Sequence, residues 1–263
     1  MVAVKVVRHY VQDEGDGFKV LQRIIARLHQ EAITWAGVHH PNIVPLIGVI
    51  ISPVQALVLP WFNNGNLSNY LARHPAANRF KLISDIARGL EHLHSYTPTI
   101  VQADIKPENV LIDDRGGALI TDFGTATVLG EDEWYTPSHR YGGTTQWMPR
   151  EIILGESVRR SRTGDVYSFG GLTCYIMTGR VPHASQSIFQ IIRTLNGAKG
   201  SPEPIDRWHK HPDLQNHCGR VVAGIIHRCW SQAPEDRPPM PVIVKELSDL
   251  NKERESLISL QWD

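Results

Sequence analysis

One run of residues limits the fold more than any other. From Asp165 to Met177 the chain reads Asp-Val-Tyr-Ser-Phe-Gly-Gly-Leu-Thr-Cys-Tyr-Ile-Met, and Asp165 is its only charged side chain. A helix written this way is apolar on every side, so it belongs in the middle of a larger body. The uncharged stretch that follows Asp165, Val166 to Gly179, is too short to cross a bilayer. The rest of the chain must therefore supply helices and strands to surround this segment. With 263 residues it has enough for one large domain or two unequal lobes.

The periodicities ahead of that run change character once. Val2 to Val7, Ile43 to Ile51 and Ala56 to Leu59 read as strands, and Leu21, Ile24, Ile25, Leu28, Ala32 and Trp35 form a helical stripe. At Pro60 to Leu67 the apolar pattern gives way to Asn and Gly, the texture of a hinge. Beyond it, Ile83, Ile86, Ala87, Leu90 and Leu93 give a second helical stripe. Short apolar strands at Val110 to Ile112 and Ala118 to Ile120 then flank the turn Asp113-Asp114-Arg115-Gly116-Gly117. The expectation is an α+β protein, with a small mixed lobe over residues 1–59, a hinge at 60–66 and a larger, mostly helical lobe over 67–263.

Composition closes off several classes of function. The 27 basic side chains balance 27 acidic ones, so no net field favours a nucleic acid or a membrane surface. Cys174, Cys218 and Cys229 are scattered without CxxC spacing, which argues against a disulfide framework or a zinc site. A soluble protein of a reducing, intracellular compartment, cytoplasmic by expectation, fits these features, and its function must reside in a local site.

Two segments carry the chemistry. Gln102 to Ile112 places Asp104, Lys106 and Asn109 on a short loop ahead of an apolar strand, a setting in which polar residues serve function more often than packing. Thirteen residues past Asn109 comes Asp122-Phe123-Gly124, an acid at a strand end followed by a glycine that permits a sharp turn. Asn109 and Asp122 are oxygen donors suited to a hard cation such as Mg²⁺. Near the N-terminus, Lys5 stands alone in an apolar strand, and Glu31 sits at the edge of the packing face of the first helix. A Lys5–Glu31 pair is the reading that satisfies both charges.

Singly these are weak signals; in this order and spacing they are strong. Val2-Ala3-Val4-Lys5 resembles the third-strand lysine motif of protein kinases, and Glu31 resembles the glutamate of the helix that follows it. Gln102 to Asn109 resembles the catalytic loop, and Asp122-Phe123-Gly124 the metal-binding tripeptide. His40-Pro41-Asn42-Ile43-Val44, Asp165 to Gly170, Cys229-Trp230 and Arg237-Pro238 extend the likeness from Lys5 to about Ile243. The flavour is that of the tyrosine-kinase-like group of serine/threonine kinases.

The resemblance implies a bilobal fold and transfer of the γ-phosphoryl group of ATP, with Mg²⁺, to a protein hydroxyl. By the same resemblance, Lys5 holds the α- and β-phosphates and Glu31 orients it, while Asn109 and Asp122 hold the metal. Asp104 accepts the hydroxyl proton, and Lys106 neutralises charge on the group in transit. Ala3 and Leu111 are expected to enclose the adenine ring. The hinge backbone at Pro60 and Phe62 would bond its edge, with Leu59 behind. Lys106, two residues beyond Asp104, and Thr144 in Gly143-Thr144-Thr145 resemble enzymes that act on serine or threonine.

Four departures mark this chain. Gln102-Ala103-Asp104 stands where the family has His-Arg-Asp, so a buried amide joins Trp35, Leu46 and Phe123 in the internal stack and needs partners. Ala103 replaces an arginine that usually binds a phosphate on the activation segment. Pro149-Arg150-Glu151 replaces Ala-Pro-Glu, although Glu151 remains able to pair with Arg237. The sequence begins at the third strand, so a strand, glycine-rich turn and strand are expected upstream of Met1, and the strand Val2 to Val7 is expected to present an unpaired apolar edge. A binding module of the same fold without transfer is the alternative implied function. Other polar groups read as no site. The basic run Arg159, Arg160 and Arg162 and the acidic Glu131-Asp132-Glu133 read as solvated; His39-His40 reads as a turn and not a ligand pair, and His92 with His94, which point different ways from one helix, as no metal site.

Overall fold

The computed structural model describes residues 1–6, 17–52, 54–129, 145–197 and 216–259. The expectations for Val7, for Glu131 to Glu133 and for Thr144 fall outside these residues, as do the side chains of Leu21 and Ile24. The α+β expectation is borne out: a small strand-rich N-terminal region leads into a mostly helical C-terminal part.

The apolar run forms helix α5, Arg162–Thr178, and its residues from Gly164 to Cys174 are all buried. It starts where the Ser161 hydroxyl accepts the Gly164 amide at 3.0 Å, and it stops where Gly179 adopts a left-handed φ of 71°. A Cβ on Gly170 would lie 2.7 Å from the Cβ of Cys229, so glycine lets helix α7, His217–Cys229, pack closely on α5.

Helix α3, Arg79–Ser95, begins at Asn78, whose side chain accepts the Lys81 amide at 3.1 Å. It buries Leu82, Ile83, Ile86, Ala87, Leu90 and Leu93, the stripe that its periodicity shows, against α5, helix α8 (Met240–Ser259) and strand β6 (Ala118–Ile120). Each such side chain contributes about 1.5–3 kcal/mol by leaving water. Shorter helices α2 (Leu67–Arg73), α4 (Arg150–Ile153) and α6 (Ile188–Leu195) complete the helical part.

In the N-terminal region, strands β1 (Val2–Val6), β2 (Gly48–Ile50) and β3 (Ala56–Pro60) form an antiparallel sheet in the order β1-β3-β2. The register sets Ala3 opposite Leu59 and Lys5 opposite Leu57. Helix α1, Gly17–Ala36, packs against β3 and buries Leu28, Ala32 and Trp35, spaced four and three residues apart on one face.

Two expectations need correction here. The strand expected over Ile43 to Ile51 is confined to Gly48–Ile50; Ile43 and Val44 bury themselves in irregular chain instead, tied by the bond from Val44 N to Ile120 O at 2.9 Å. The strand around Lys5, which reads as buried from its sequence, is covered on one face only. Val2, Val4 and Val6 are 52%, 48% and 47% exposed, because a three-stranded sheet covers only the face that carries Ala3 and Lys5. Among the described residues β1 pairs on one side alone, as the edge of this sheet.

The segments expected to carry chemistry are clasped between two pairs of short strands. β5 (Val110–Ile112) and β6 form a hairpin closed by Asp113, whose Oδ1 accepts the amides of Arg115 at 2.9 Å and Gly117 at 2.6 Å. β4 (Ile100–Val101) pairs antiparallel with β7 (Thr127–Val128). Since β4 leads into residues 102–109 and β7 follows residues 121–126, the two pairings lay these loops side by side.

Candidate active site

Lys5 projects from the inner face of β1 toward α1 and the second loop. Its Nζ donates to Glu31 Oε1 at 3.0 Å and to Asp122 Oδ1 at 2.7 Å. The Glu31 side chain is only 10% exposed. Burial pushes its carboxyl above the ordinary glutamate value, with the Lys5 charge pulling the other way. Burial draws Lys5 down, but the charges of Asp122 and Glu31 outweigh it, and the ammonium is held above the ordinary lysine value. One cation thus ties strand, helix and loop together.

Asp104 is held by a second set. Asn109 Nδ2 donates to Asp104 Oδ2 at 2.8 Å and to Asp104 O at 2.9 Å, and Lys106 Nζ lies 2.6 Å from the same Oδ2. A 3-10 turn over Pro107–Asn109 brings Asn109 back onto Asp104. Because the amide nitrogen of Asn109 is spent on Asp104, its Oδ1 is left as an oxygen donor. That oxygen and the Asp122 carboxylate make a hard donor set of the kind that binds Mg²⁺ with retained waters, so these residues fit the metal that the sequence implies.

Two backbone conformations give the loops their shape. Ala103 has φ of 64° and Asp122 φ of 61°, both in the left-handed region that costs non-glycine residues roughly 1–2 kcal/mol. Asp165, 1% exposed, offsets the first: its Oδ1 accepts the Ala103 amide at 2.8 Å, and its Oδ2 accepts the Gln102 amide at 2.9 Å. His94 Nε2 sits 2.9 Å from the same Oδ2. Sequence reasoning placed Asp165 in a family motif without a role. The signal was there: a lone carboxylate in an otherwise uncharged buried helix must find donors.

His92 and His94 do diverge from one helix, as expected. His94 reaches Asp165, while the His92 ring stacks on His40 with centroids 4.9 Å apart. Gln102, expected to need partners, is fully buried and hydrogen bonded at both ends of its amide. Trp35 and Phe123 pack with ring centroids 4.9 Å apart, and Leu46 packs against the same core.

Two hollows border these residues. One of about 600 Å³ is lined by Ala3, Pro60, Phe62 and Leu111, with Trp61 and Asn63 at its mouth. Leu59 is buried beside Ala3 across the sheet and is absent from this lining. The other, of about 400 Å³, runs from Asp104, Lys106 and Asp122 to Met148, Pro149, Ile152 and Val158. Arg159, exposed as the sequence suggests, and the half-buried Arg160 border it. Glu151 pairs with Arg237, as its position implies.

A small sheet on a helical body, with lysine, glutamate and aspartates converging between them, defines a protein kinase domain. The model of the protein tyrosine and serine/threonine kinase family matches residues 1–247, and the chain belongs to that family. It is 29% identical over 246 residues to a probable serine/threonine-protein kinase, drkD, of Dictyostelium discoideum, which covers 90% of this chain and 18% of that protein. It is 30% identical over 252 residues to the serine/threonine/tyrosine-protein kinase HT1 of Arabidopsis thaliana, covering 94% of this chain and 59% of that one. Cyclic GMP-binding protein C of Dictyostelium discoideum is 27% identical over 247 residues, which are 88% of this chain and 9% of the relative. The chain therefore spans less than two thirds of each of these relatives. Among the described residues no helix is long and apolar enough to cross a membrane.

Proposed function

We propose that this chain transfers the γ-phosphoryl group of ATP to a serine or threonine hydroxyl of a protein, with Mg²⁺. The observation that carries the reading is the position of Lys5, bonded at once to Glu31 and Asp122, beside an Asp104 that is held by Lys106 and Asn109. ATP bound with Mg²⁺ supplies the phosphoryl group and its charge neutralisation; the residues supply position and field.

In this reading Lys5 directs its ammonium at the α- and β-phosphates, and Glu31 keeps it aimed. Asp122 and the Oδ1 of Asn109 offer oxygens to the metal. Asp104 takes the hydroxyl proton, and Lys106, 2.6 Å away, offsets charge on the group in transit. Ala3 and Leu111 line the hollow suited to an adenine ring, with the hinge at residues 60–66 along its edge. The lobes would then be residues 1–59 and 67–263. A peptide segment would enter at the hollow beside Asp104, and Lys106 together with the name of the drkD relative, a probable serine/threonine-protein kinase, favours serine or threonine.

Asp104→Asn tests the reading. The side chains match in size, so nucleotide should still raise the melting temperature, while transfer to a generic Ser/Thr protein should fall about 10²–10⁴-fold. Near-normal transfer by this variant would sink the role of Asp104. Nucleotide binding without transfer by the parent chain would favour the binding-module reading instead.

A further inference from the structure

Gln102 lies between the two loops, with none of its surface exposed. Its side-chain Oε1 accepts the Asp104 amide at 2.6 Å, and its Nε2 donates to Asp122 O at 2.9 Å and to Thr121 O at 3.3 Å. Its main chain is held as well: Gln102 N donates to Asp165 Oδ2 at 2.9 Å, and Gln102 O accepts from Thr125 Oγ1 at 3.2 Å. Its bonds lie between the only two left-handed residues of these loops among those described, Ala103 and Asp122.

We propose that the Gln102 side chain is a positioning residue that fixes the separation of Asp104 and Asp122. The inference rests on the reading of these two aspartates given above. A backbone in the left-handed region relaxes unless neighbours hold it. The bond to Asp122 O resists that relaxation on one side, and the bond from Asp104 N fixes the other loop to the same rigid amide. A primary amide carries donor and acceptor on one carbon, which is what a backbone carbonyl facing a backbone N–H requires. Leucine would fill the space and leave both backbone groups bare. Glutamate would keep the acceptor but set a carboxylate against two carbonyls. Histidine would meet both groups only as a neutral ring, since protonation turns its acceptor nitrogen into a donor facing the Asp104 amide.

The charged groups around this position come from every element that meets it. Asp104 and Lys106 lie on its own loop, Asp122 on the facing loop with Lys5 behind it, and Asp165 on α5 with His94 of α3 beyond. Three carboxylates therefore surround a neutral amide.

Two variants of the full chain separate this role from simple space-filling, read by kcat and KM, by calorimetric nucleotide binding across a Mg²⁺ series, and by melting temperature. Gln102→Leu should lower kcat about 10–100-fold with little change in the KM for protein substrate. It should also raise the Mg²⁺ needed for half-maximal nucleotide binding about tenfold. Gln102→Glu should raise that Mg²⁺ requirement too, because only its Asp122 end is disturbed. A lower melting temperature with kcat and Mg²⁺ dependence unchanged would overturn the proposal. If the parent transfers no phosphate, the kinase reading fails, and the Mg²⁺ series alone decides: a raised requirement in Gln102→Leu supports the positioning role, and an unchanged one ends it. A parent that binds no nucleotide overturns both.

Discussion

Arg237 and Glu151 meet in a two-pronged ion pair, Nη1 to Oε1 at 2.9 Å and Nη2 to Oε2 at 2.8 Å, with both side chains buried. The guanidinium also donates to Thr163 O at 3.0 Å and Ser231 O at 3.1 Å, and it lies over the Tyr167 ring. Every polar atom of the pair that burial would penalise thus has a partner. The pair links α4 to the start of α5 and to the chain before α8.

Removing either member alone leaves an uncompensated buried charge. Arg237→Met and Glu151→Gln should each destabilise the domain by about 3–5 kcal/mol, measured as a shift of the urea midpoint at constant slope. The double variant Glu151→Gln with Arg237→Met should cost less than the sum. Strict additivity would show that the two side chains act independently.

Asp165 concentrates three donors on one carboxylate: the amides of Gln102 and Ala103 and the ring of His94. Asp165→Ala strands all three in a dry interior and frees Ala103 from its left-handed conformation. The expected result is a loss of about 3–5 kcal/mol in stability and, in hydrogen exchange, loss of protection at the Gln102 and Ala103 amides. An unprotected pair of amides in the parent would show that Asp165 does not hold this loop.

How far the sequence revealed this arrangement depended on the length of each signal. The α3 stripe, the β5–β6 hairpin and the apolar α5 were legible because each repeats a period several times or carries turn residues at fixed places. β4 and β7 went unread. Each is two residues long, too short to show an alternation, yet their pairing sets the two loops side by side.

Ile43 and Val44 were misread for the opposite reason. They are apolar and β-branched, the residue types of a strand, but they serve as buried plugs in irregular chain. The site residues stood out through a family resemblance whose motifs survive here. Gln102 was flagged only as a polar residue in need of partners, because the carbonyl of Asp122 and the amide of Asp104 that complete it are backbone groups, and sequence does not say where a backbone atom will point.

The Lys5–Glu31 pair gives the site a dependence on pH whose sign can be worked out. Burial raises the Glu31 carboxyl above its ordinary value, so the folded chain takes up this proton at a pH where the unfolded chain has released it. The group's contribution to stability is therefore full below the ordinary glutamate value and is lost as pH rises through the raised one. For Lys5, also raised, the contribution is full below the ordinary lysine value and is lost only as pH rises through its folded value. Transfer requires the opposite state of Glu31: ionised, so that it can aim the ammonium. Activity should then fall on the acid side at a pH above the ordinary glutamate range, while the folded domain holds or gains stability from this residue over the same interval. Glu31→Gln should lower the rate and remove that acid limb, since an amide at this position does not titrate. Rate profiles of the parent and of Glu31→Gln, taken alongside melting temperatures at each pH, decide it; an acid limb that persists unchanged in Glu31→Gln would assign the titration to another group.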